Sequence, residues 1–303
     1  MRRSITVLFL SVSIAVNATT YYVATTGNDN NPGTITKPWS TWQKGFNSIS
    51  AGDILYIRGG TYTATGIVIA DVFAAVGVDG KNGTSGSQYQ VYAYPGEIPV
   101  LDCSTLTNNS YVRIGIMLTN SSYWHLMGLE IKNCNQVTAS SPHYGGQGIY
   151  ITGSSNIIIE NCAAHNNQGP GMGTRDVNEL TFLNCDSHDN YDPYSDTPGD
   201  NADGFDIGFN KNNGIVRCTG CRWNNSDDGF DMYQDSGYSG IYYLTNCWSW
   251  HQGYRSDGVT TGGDGNGFKY GADLQSYDGV TKRYSYNCIA YANRCRGFSQ
   301  ESA

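Results

Sequence analysis

This sequence predicts an all-β fold, a parallel β-helix in which successive coils of the chain stack on one another. Three observations predict it. A short Asn-Cys unit recurs at the ends of apolar runs, the residues after it keep a constant register, and the composition is rich in strand and turn formers, with 38 glycines and 23 tyrosines among 303 residues. In such a fold the strands of successive coils lie about 4.8 Å apart, and like residues stack on like.

The first residues have the pattern of an export signal. Two arginines precede an apolar run from Ile5 to Val16, and a small-residue site ends at Ala18. The run is too short to remain as a membrane span, and no later run approaches that length. We therefore expect a signal peptide over residues 1–18 and a secreted, extracellular protein without a membrane partner.

The segment "WSTWQKGFNSI" (39–49) is the one stretch with a helical apolar period, and it predicts a short N-terminal helix that caps the open end of the core. The surrounding residues 21–63 resemble the opening of many secreted right-handed β-helix proteins, in which a Tyr-Val strand, a Gly-Asn-Asp loop and a Trp-bearing helix precede the coils. The resemblance implies a right-handed parallel β-helix, which we expect to form a single domain over residues 19–303. Adhesins and enzymes share this fold, so it does not decide the function.

The Asn-Cys unit contains five of the nine cysteines. Two of these units continue alike, with a histidine three residues and an asparagine five residues after the cysteine, and we expect these histidines, His165 and His188, to form a surface pair without a catalytic role. An exported chain can form disulfides, but a repeated position favours a buried ladder of small apolar side chains. The five cysteines are Cys134, Cys162, Cys185, Cys247 and Cys288.

The charge of the chain is sparse and acidic, with 18 lysines and arginines against 26 aspartates and glutamates. This balance argues against nucleic acid as a partner. Thirteen of the acidic residues lie between Asp186 and Asp264, and all thirteen are aspartates. Short carboxylates among glycine and asparagine predict turns, a site for a hard cation, or both.

A Gly-Phe pair recurs in "ADGFDIG", "DDGFDMY", "GNGFKYG" and "RGFSQ". Because side chains alternate along a strand, Phe205, Phe230 and Phe268 should point into the core and the residue after each of them should point outwards. Stacked coils then place these three outward residues, Asp206, Asp231 and Lys269, in one column. Ser299 follows the fourth pair.

Further aspartates precede two of these pairs. Asp203 and Asp228 come directly before Gly204 and Gly229, and Asp227 lies one residue earlier. A bend at each Asp-Gly step would turn these carboxylates towards the column. Turn formation or a weak surface ion pair explains any single one of them, whereas five carboxylates together repel one another. A Ca²⁺ ion, with about six to eight oxygen ligands, would neutralise them.

In this order the motifs resemble those of the family 9 pectate lyases, secreted β-helix enzymes that cleave polygalacturonate by β-elimination. The resemblance implies that Lys269 is the general base and that four aspartates bind one calcium ion. Asp206 stands where that family is expected to have a small neutral residue, and it is either an additional ligand or a solvated turn residue. The family continues with further coils, so we expect the β-helix to be incomplete at its C-terminus. The implied ligands are Asp203, Asp227, Asp228 and Asp231.

The chemistry fits these residue types. Removal of the C5 proton of a galacturonate unit leaves charge on the neighbouring carboxylate, where a cation stabilises it in the transition state. Lys269 must be neutral to accept this proton; calcium would lower its pKa and the flanking aspartates would raise it, and we expect activity to rise at alkaline pH. Arg294 and Arg296 are candidates to bind substrate carboxylates, and Tyr270 is a candidate to contact the sugar. We expect a monomer.

Three alternatives stay open. A β-helix polygalacturonase would hydrolyse the same polymer with aspartates, but its Gly-His-Gly and Arg-Ile-Lys signatures are absent. A lyase for rhamnogalacturonan or another uronate polysaccharide would share the C5 chemistry. A non-catalytic adhesin would use calcium only to stiffen the coils.

Overall fold

The computed structural model of the protein describes residues 18–108, 111–137, 145–233, 238–271 and 281–300. The predicted signal peptide, residues 1–18, lies outside the described residues except for Ala18, so export stays a prediction. No helix in the described part has the length and apolar character that a membrane crossing requires.

Regular structure in these ranges consists of one α-helix and 26 β-strands. The first elements are β1 (Thr20–Val23), α1 (Trp42–Ser48), β2 (Ile54–Ile57), β3 (Gly60–Thr63), β4 (Ile67–Ile69), β5 (Val72–Asp79), β6 (Tyr89–Ala93), β7 (Pro99–Asp102), β8 (Arg113–Thr119), β9 (Ser122–Met127), β10 (Glu130–Lys132), β11 (Gln147–Thr152), β12 (Ser155–Glu160) and β13 (Ala163–His165). The later elements are β14 (Met172–Arg175), β15 (Asn178–Leu183), β16 (Asp186–His188), β17 (Phe205–Asp206), β18 (Ile215–Thr219), β19 (Arg222–Asn224), β20 (Phe230–Asp231), β21 (Ile241–Thr245), β22 (Trp248–Trp250), β23 (Phe268–Tyr270), β24 (Lys282–Tyr286), β25 (Ile289–Tyr291) and β26 (Phe298–Gln300).

The strands form three sheets, to each of which a full coil contributes one strand. The first sheet has the order β1-β2-β6-β9-β12-β15-β18-β21-β24, the second β3-β7-β10-β13-β16-β19-β22-β25, and the third β4-β5-β8-β11-β14-β17-β20-β23-β26. Neighbouring strands run parallel, apart from the antiparallel β4–β5 hairpin. The predicted all-β parallel β-helix is confirmed.

The Asn-Cys unit forms the turn between the first and second sheets. Asn161 and Asn184 have φ values of 50° and 52°, in the left-handed region that asparagine tolerates better than most residues. The following cysteine enters the core and its thiol donates to a strand carbonyl, as from Cys185 Sγ to Ile159 O (3.2 Å). All nine cysteines lie in the described part and none forms a disulfide. Four of the five repeated cysteines are buried and Cys288 is half-buried, which confirms the predicted ladder.

A ladder of buried asparagines lines the turn between the second and third sheets. Asn167 Nδ2 donates to Asn190 Oδ1 (3.0 Å), and Asn190 Nδ2 donates to Asn225 Oδ1 (2.7 Å). Because the amides satisfy one another, they can be buried without a large loss of hydration energy. This turn leads into the strands of the third sheet and therefore sets where those strands begin.

The predicted capping helix is confirmed as α1. The side chain of Thr41 accepts a hydrogen bond from the backbone N–H of Lys44 (3.2 Å) and caps the helix N-terminus. Trp42 and Phe46 are buried, and the Phe46 ring lies 5.6 Å from that of Trp124, so the helix covers the apolar end of the core. The helix is shorter than residues 39–49 because Trp39 pairs with the end of β1 in an extended conformation.

Candidate active site

The four Gly-Phe pairs fall in register on the third sheet. Phe205, Phe230, Phe268 and Phe298 stack in this order, the first three fully buried and the last 48% exposed. Asp206, Asp231 and Lys269 form the predicted column, and the predicted alternation is confirmed for these three strands. The fourth strand differs, since Ser299 continues the register but is only 2% exposed.

The aspartates before the pairs are brought to the same place. The chain bends at Gly204 and Gly229, as expected, although neither glycine needs a left-handed φ. Asp203 and Asp228 are buried, and Asp203 Oδ1 accepts a hydrogen bond from the backbone N–H of Asp228 (3.2 Å). One coil therefore binds the next through this carboxylate.

Three carboxylates and one amine form the centre of the site. Asp203, Asp228 and Asp231 each offer an oxygen, and these oxygens lie within 4.8 Å of one another, the one such acidic group among the described residues. Lys269 Nζ lies 3.0 Å from Asp228 Oδ2 and 3.3 Å from Asp231 Oδ2. The Asp228 side chain is fully buried, and those of Asp231 and Lys269 are only 16% and 15% exposed. We call these four residues the carboxylate–amine cluster.

Asn266 orients one of these carboxylates, and the sequence interpretation missed it. Its backbone N–H and its Nδ2 both donate to Asp228 Oδ1, at 2.6 and 2.9 Å, which leaves Oδ2 for Lys269. The signal was present in the repeat, because Asn266 precedes its Gly-Phe pair as Asp203 and Asp228 precede theirs. A buried amide at this position can donate where an aspartate could only accept.

Two predicted residues lie beside the cluster. Asp227 is buried, but its Oδ1 accepts a hydrogen bond from the backbone N–H of Asp264 (2.8 Å), and it is not one of the three clustered carboxylates. Asp206 is half-buried and adjoins Asp231 in the column. The structure therefore brings three of the four predicted ligands together and places the fourth, Asp227, outside this group.

Burial and neighbouring charges shift the pKa values of the carboxyl groups and of the amine in this region. Burial raises the pKa of Asp203 well above its usual range, and the charge of Asp227 adds to this. Burial also raises the pKa of Asp228 to about 6, against the opposing effect of Lys269. Burial and Asp231 raise the pKa of Asp206 to about 7. For Lys269, burial alone would lower the pKa, but Asp231 and Asp228 outweigh it and raise the pKa above its usual range.

This donor set fits a hard divalent cation. The clustered oxygens are carboxylate oxygens, the ligand type that Ca²⁺ prefers. Burial and neighbouring carboxylates raise the pKa values of Asp203 and Asp228 even with the Lys269 ammonium close by. A cation bound here would lower these pKa values.

The three residues predicted to bind substrate are not members of the carboxylate–amine cluster. Arg294 Nη1 donates to the carbonyl oxygen of Gly263, and Arg296 is exposed. Tyr270 Oη hydrogen-bonds with Ser285 Oγ (2.5 Å).

The two histidines of the repeat stack as predicted. The rings of His165 and His188 lie 4.6 Å apart at an interplanar angle of 3°. They lie on the second sheet and not on the third, which carries the carboxylate–amine cluster.

The fold and the site together define a β-helix protein with buried carboxylates and an amine on one sheet. The chain belongs to the Pel9A-like right-handed β-helix family, whose model matches residues 21–303. This match confirms the right-handed coil that the sequence predicted.

Individual relatives agree with this membership. The chain is 35% identical to pectate lyase L of Paenibacillus polymyxa (strain SC2) in an alignment 305 positions long, which covers 96% of this chain and 62% of the relative. It therefore spans less than two thirds of that protein. Among solved structures, a rhamnogalacturonan lyase superposes with a TM-score of 0.80 at 27% identity, over 91% of this chain and 69% of the other. Pectate lyase Pel9A superposes with a TM-score of 0.70 at 27% identity, over 92% and 65%.

Proposed function

We propose that this chain carries the catalytic region of a calcium-dependent pectate lyase that cleaves polygalacturonate by β-elimination. One observation carries the proposal: the amine of Lys269 contacts two of three clustered carboxylates on an outer sheet face. Relatives named pectate lyases, at 35% and 29% identity over most of the chain, support the substrate class.

In the proposed site Asp203, Asp228 and Asp231 bind the cation. Asp227, which lies outside this group of three in the structure, is proposed as the fourth ligand on the family resemblance alone. When bound, calcium would contact the uronate carboxylate of the substrate and stabilise the negative charge that develops there. Asn266 holds Asp228 by two hydrogen bonds, so that this carboxylate does not have to reorganise during the reaction. Asp206 is a further candidate ligand next to Asp231.

Lys269 is proposed as the base. Its Nζ takes the C5 proton, the C5–H electron pair forms the C4–C5 double bond, and the bond from C4 to the glycosidic oxygen breaks. The leaving oxygen takes a proton from solvent. Because Asp228 and Asp231 hold a proton on Lys269, the amine becomes a base only when those charges are compensated.

The test is a substrate panel followed at the absorbance of unsaturated products. We expect polygalacturonate to give unsaturated products in calcium and none in a chelator. Saturated products without a metal requirement would support hydrolysis, and calcium-dependent binding without turnover would support a non-catalytic wall-binding role. Either result would exclude the lyase assignment.

One observation supports rhamnogalacturonan as an alternative substrate. The rhamnogalacturonan lyase superposes with the higher TM-score of the two solved structures, 0.80 against 0.70. Rhamnogalacturonan therefore belongs in the panel, and faster turnover of it than of polygalacturonate would reassign the substrate and keep the chemistry.

Export and oligomeric state also belong to the proposal. We propose, on the basis of its N-terminal pattern, that the protein acts outside the cell. We also propose that it is a monomer. N-terminal sequencing of the protein from the culture medium tests the cleavage after Ala18, and size-exclusion chromatography with light scattering tests the monomer.

A further inference from the structure

One cation of the third sheet has no part in the proposed reaction. Arg175 ends β14, two residues after Gly173, and Gly173 is the register partner of Asp206. Residues two apart on a strand share a face, so Arg175 lies on the face of the carboxylate–amine cluster, one coil before Asp206. The side chain of Arg175 is half-buried.

An aromatic wall holds this guanidinium. Arg175 Cζ lies 5.1 Å above the centre of the Phe209 ring, and Arg175 Nη2 donates to Tyr238 Oη (3.1 Å). The Phe209 ring lies 5.7 Å from that of Tyr233 and 5.4 Å from that of Tyr238. Stacking on a ring fixes the plane of a guanidinium, and a fixed planar guanidinium suits the recognition of a carboxylate.

Phe209 occupies the left-handed turn position that follows the strands of the third sheet. Its φ is +59°, and Asn120, Gly153 and Asp176 have φ values of 47°, 57° and 51° at the same position of earlier coils. A phenylalanine at this turn places its ring against Arg175, Tyr233 and Tyr238.

The wall is continuous with the carboxylate–amine cluster. The backbone N–H of Tyr233 donates to Asp231 Oδ1 (2.7 Å), so one residue of the wall is bonded through its backbone to a proposed cation ligand. A uronate polymer carries a carboxylate on every sugar, and acidic residues dominate this face. A unit beyond the one at Lys269 therefore needs a cation of its own.

We propose that Arg175, with Phe209, Tyr233 and Tyr238, forms a binding subsite for a second uronate unit of the substrate. The guanidinium pairs with the uronate carboxylate and the aromatic side chains contact the sugar ring. The proposal rests on the proposed function for the substrate class, but its test does not depend on turnover.

A simpler role for Arg175 makes a different prediction. Arg175 also opposes the rise in the pKa of Asp206. If charge compensation of Asp206 were its whole role, Arg175→Gln would change nothing once Asp206 is replaced by asparagine. The subsite predicts that the effect on uronate binding persists in that background.

The experiment measures binding of trigalacturonate and of its carboxyl-reduced counterpart by calorimetry, in calcium and in chelator. For Arg175→Gln we expect about 10- to 100-fold weaker binding of trigalacturonate and less than about 2-fold for the neutral sugar, since one charge-assisted bidentate contact is lost. Arg175→Lys keeps the charge and loses the planar fork, and should weaken binding about 3- to 10-fold. This variant also serves if Arg175→Gln fails to fold.

Arg217→Gln is the matched control. Arg217 stacks on Tyr243 (5.7 Å) and pairs with Glu179 (2.6 Å), but it lies on the first sheet. It should leave binding of both sugars unchanged. Unchanged trigalacturonate binding in folded Arg175 variants, or an effect that disappears with Asp206→Asn, overturns the subsite. Arg175-dependent binding without any turnover sustains the subsite and overturns the proposed enzymatic function instead.

Discussion

Removal of the Asn266 side chain should weaken cation binding, although Asn266 is not itself a proposed ligand of the cation. Asn266 Nδ2 donates to Asp228 Oδ1 (2.9 Å), and the backbone bond from the same residue (2.6 Å) survives in Asn266→Ala. One hydrogen bond to a charged group is therefore lost, which is worth about 1.5–3 kcal/mol. At about 1.4 kcal/mol per factor of ten, the affinity for Ca²⁺ should fall about 10- to 100-fold.

The assay is calcium titration of the chelator-treated protein by calorimetry, at a pH where the carboxylates are ionised. Asn266→Asp should have a larger effect, because it replaces the donor with a second carboxylate beside Asp228. Asn293→Ala is the matched control, since Asn293 Nδ2 donates to Ser249 O (3.3 Å) and not to the cluster. A calcium affinity within 2-fold of wild type in folded Asn266→Ala would refute the reasoning.

Three further predictions concern the base, the pH dependence and the core. Lys269→Ala should lower kcat on polygalacturonate by about 10²–10⁴, the usual contribution of a general base, and should keep or raise calcium affinity, because a positive charge leaves the cluster. Without metal, the melting temperature should fall from pH 5 to pH 8. The folded-state pKa values of Asp228 (about 6) and Asp206 (about 7) exceed the unfolded value of 3.8. The folded protein therefore binds more protons than the unfolded chain in this window, and it loses stability as they dissociate. Phe230→Ala should lower the free energy of unfolding by about 3–5 kcal/mol, because its fully buried ring stacks between Phe205 (5.0 Å) and Phe268 (5.6 Å).

Each of these has its own control. Wild-type rates in a folded, calcium-binding Lys269→Ala variant would rule out this base. Lys269 does not change this expectation, because the stability that its raised pKa contributes is lost only above the usual pKa range of lysine. A melting temperature that is flat or rises from pH 5 to pH 8 would contradict the raised pKa values of the buried aspartates. Phe298→Ala, in the same ladder but 48% exposed, should cost clearly less than Phe230→Ala in a denaturant titration.

Much of the third sheet could be predicted because its geometry repeats. In "GFDI", "GFDM" and "GFKY" a period of two separates inward from outward side chains, and the stacking of coils converts that pattern into a column of Asp206, Asp231 and Lys269. The Asn-Cys turn was equally local, because asparagine tolerates the left-handed φ that the turn requires.

Other parts of the site depend on contacts between distant coils. Arg175 meets Tyr238 across 63 residues, and no spacing in the sequence specifies that encounter. Asp227 turns to the backbone N–H of Asp264 because a loop 37 residues later brings that donor to it. Asn266 carries no charge, and only the position before the Gly-Phe pair, which it shares with Asp203 and Asp228, indicates its role.

The sequence alone determined the coil repeat, the identity of the inward and outward residues, and the presence of several carboxylates with one lysine on a common face, because each of these follows from a backbone period of two and a repeated turn. The tertiary structure decided which oxygens meet. It closed Asp203, Asp228 and Asp231 around a shared space next to the Lys269 amine and left Asp227 outside, because loops of unequal length set the position at which each coil enters the sheet.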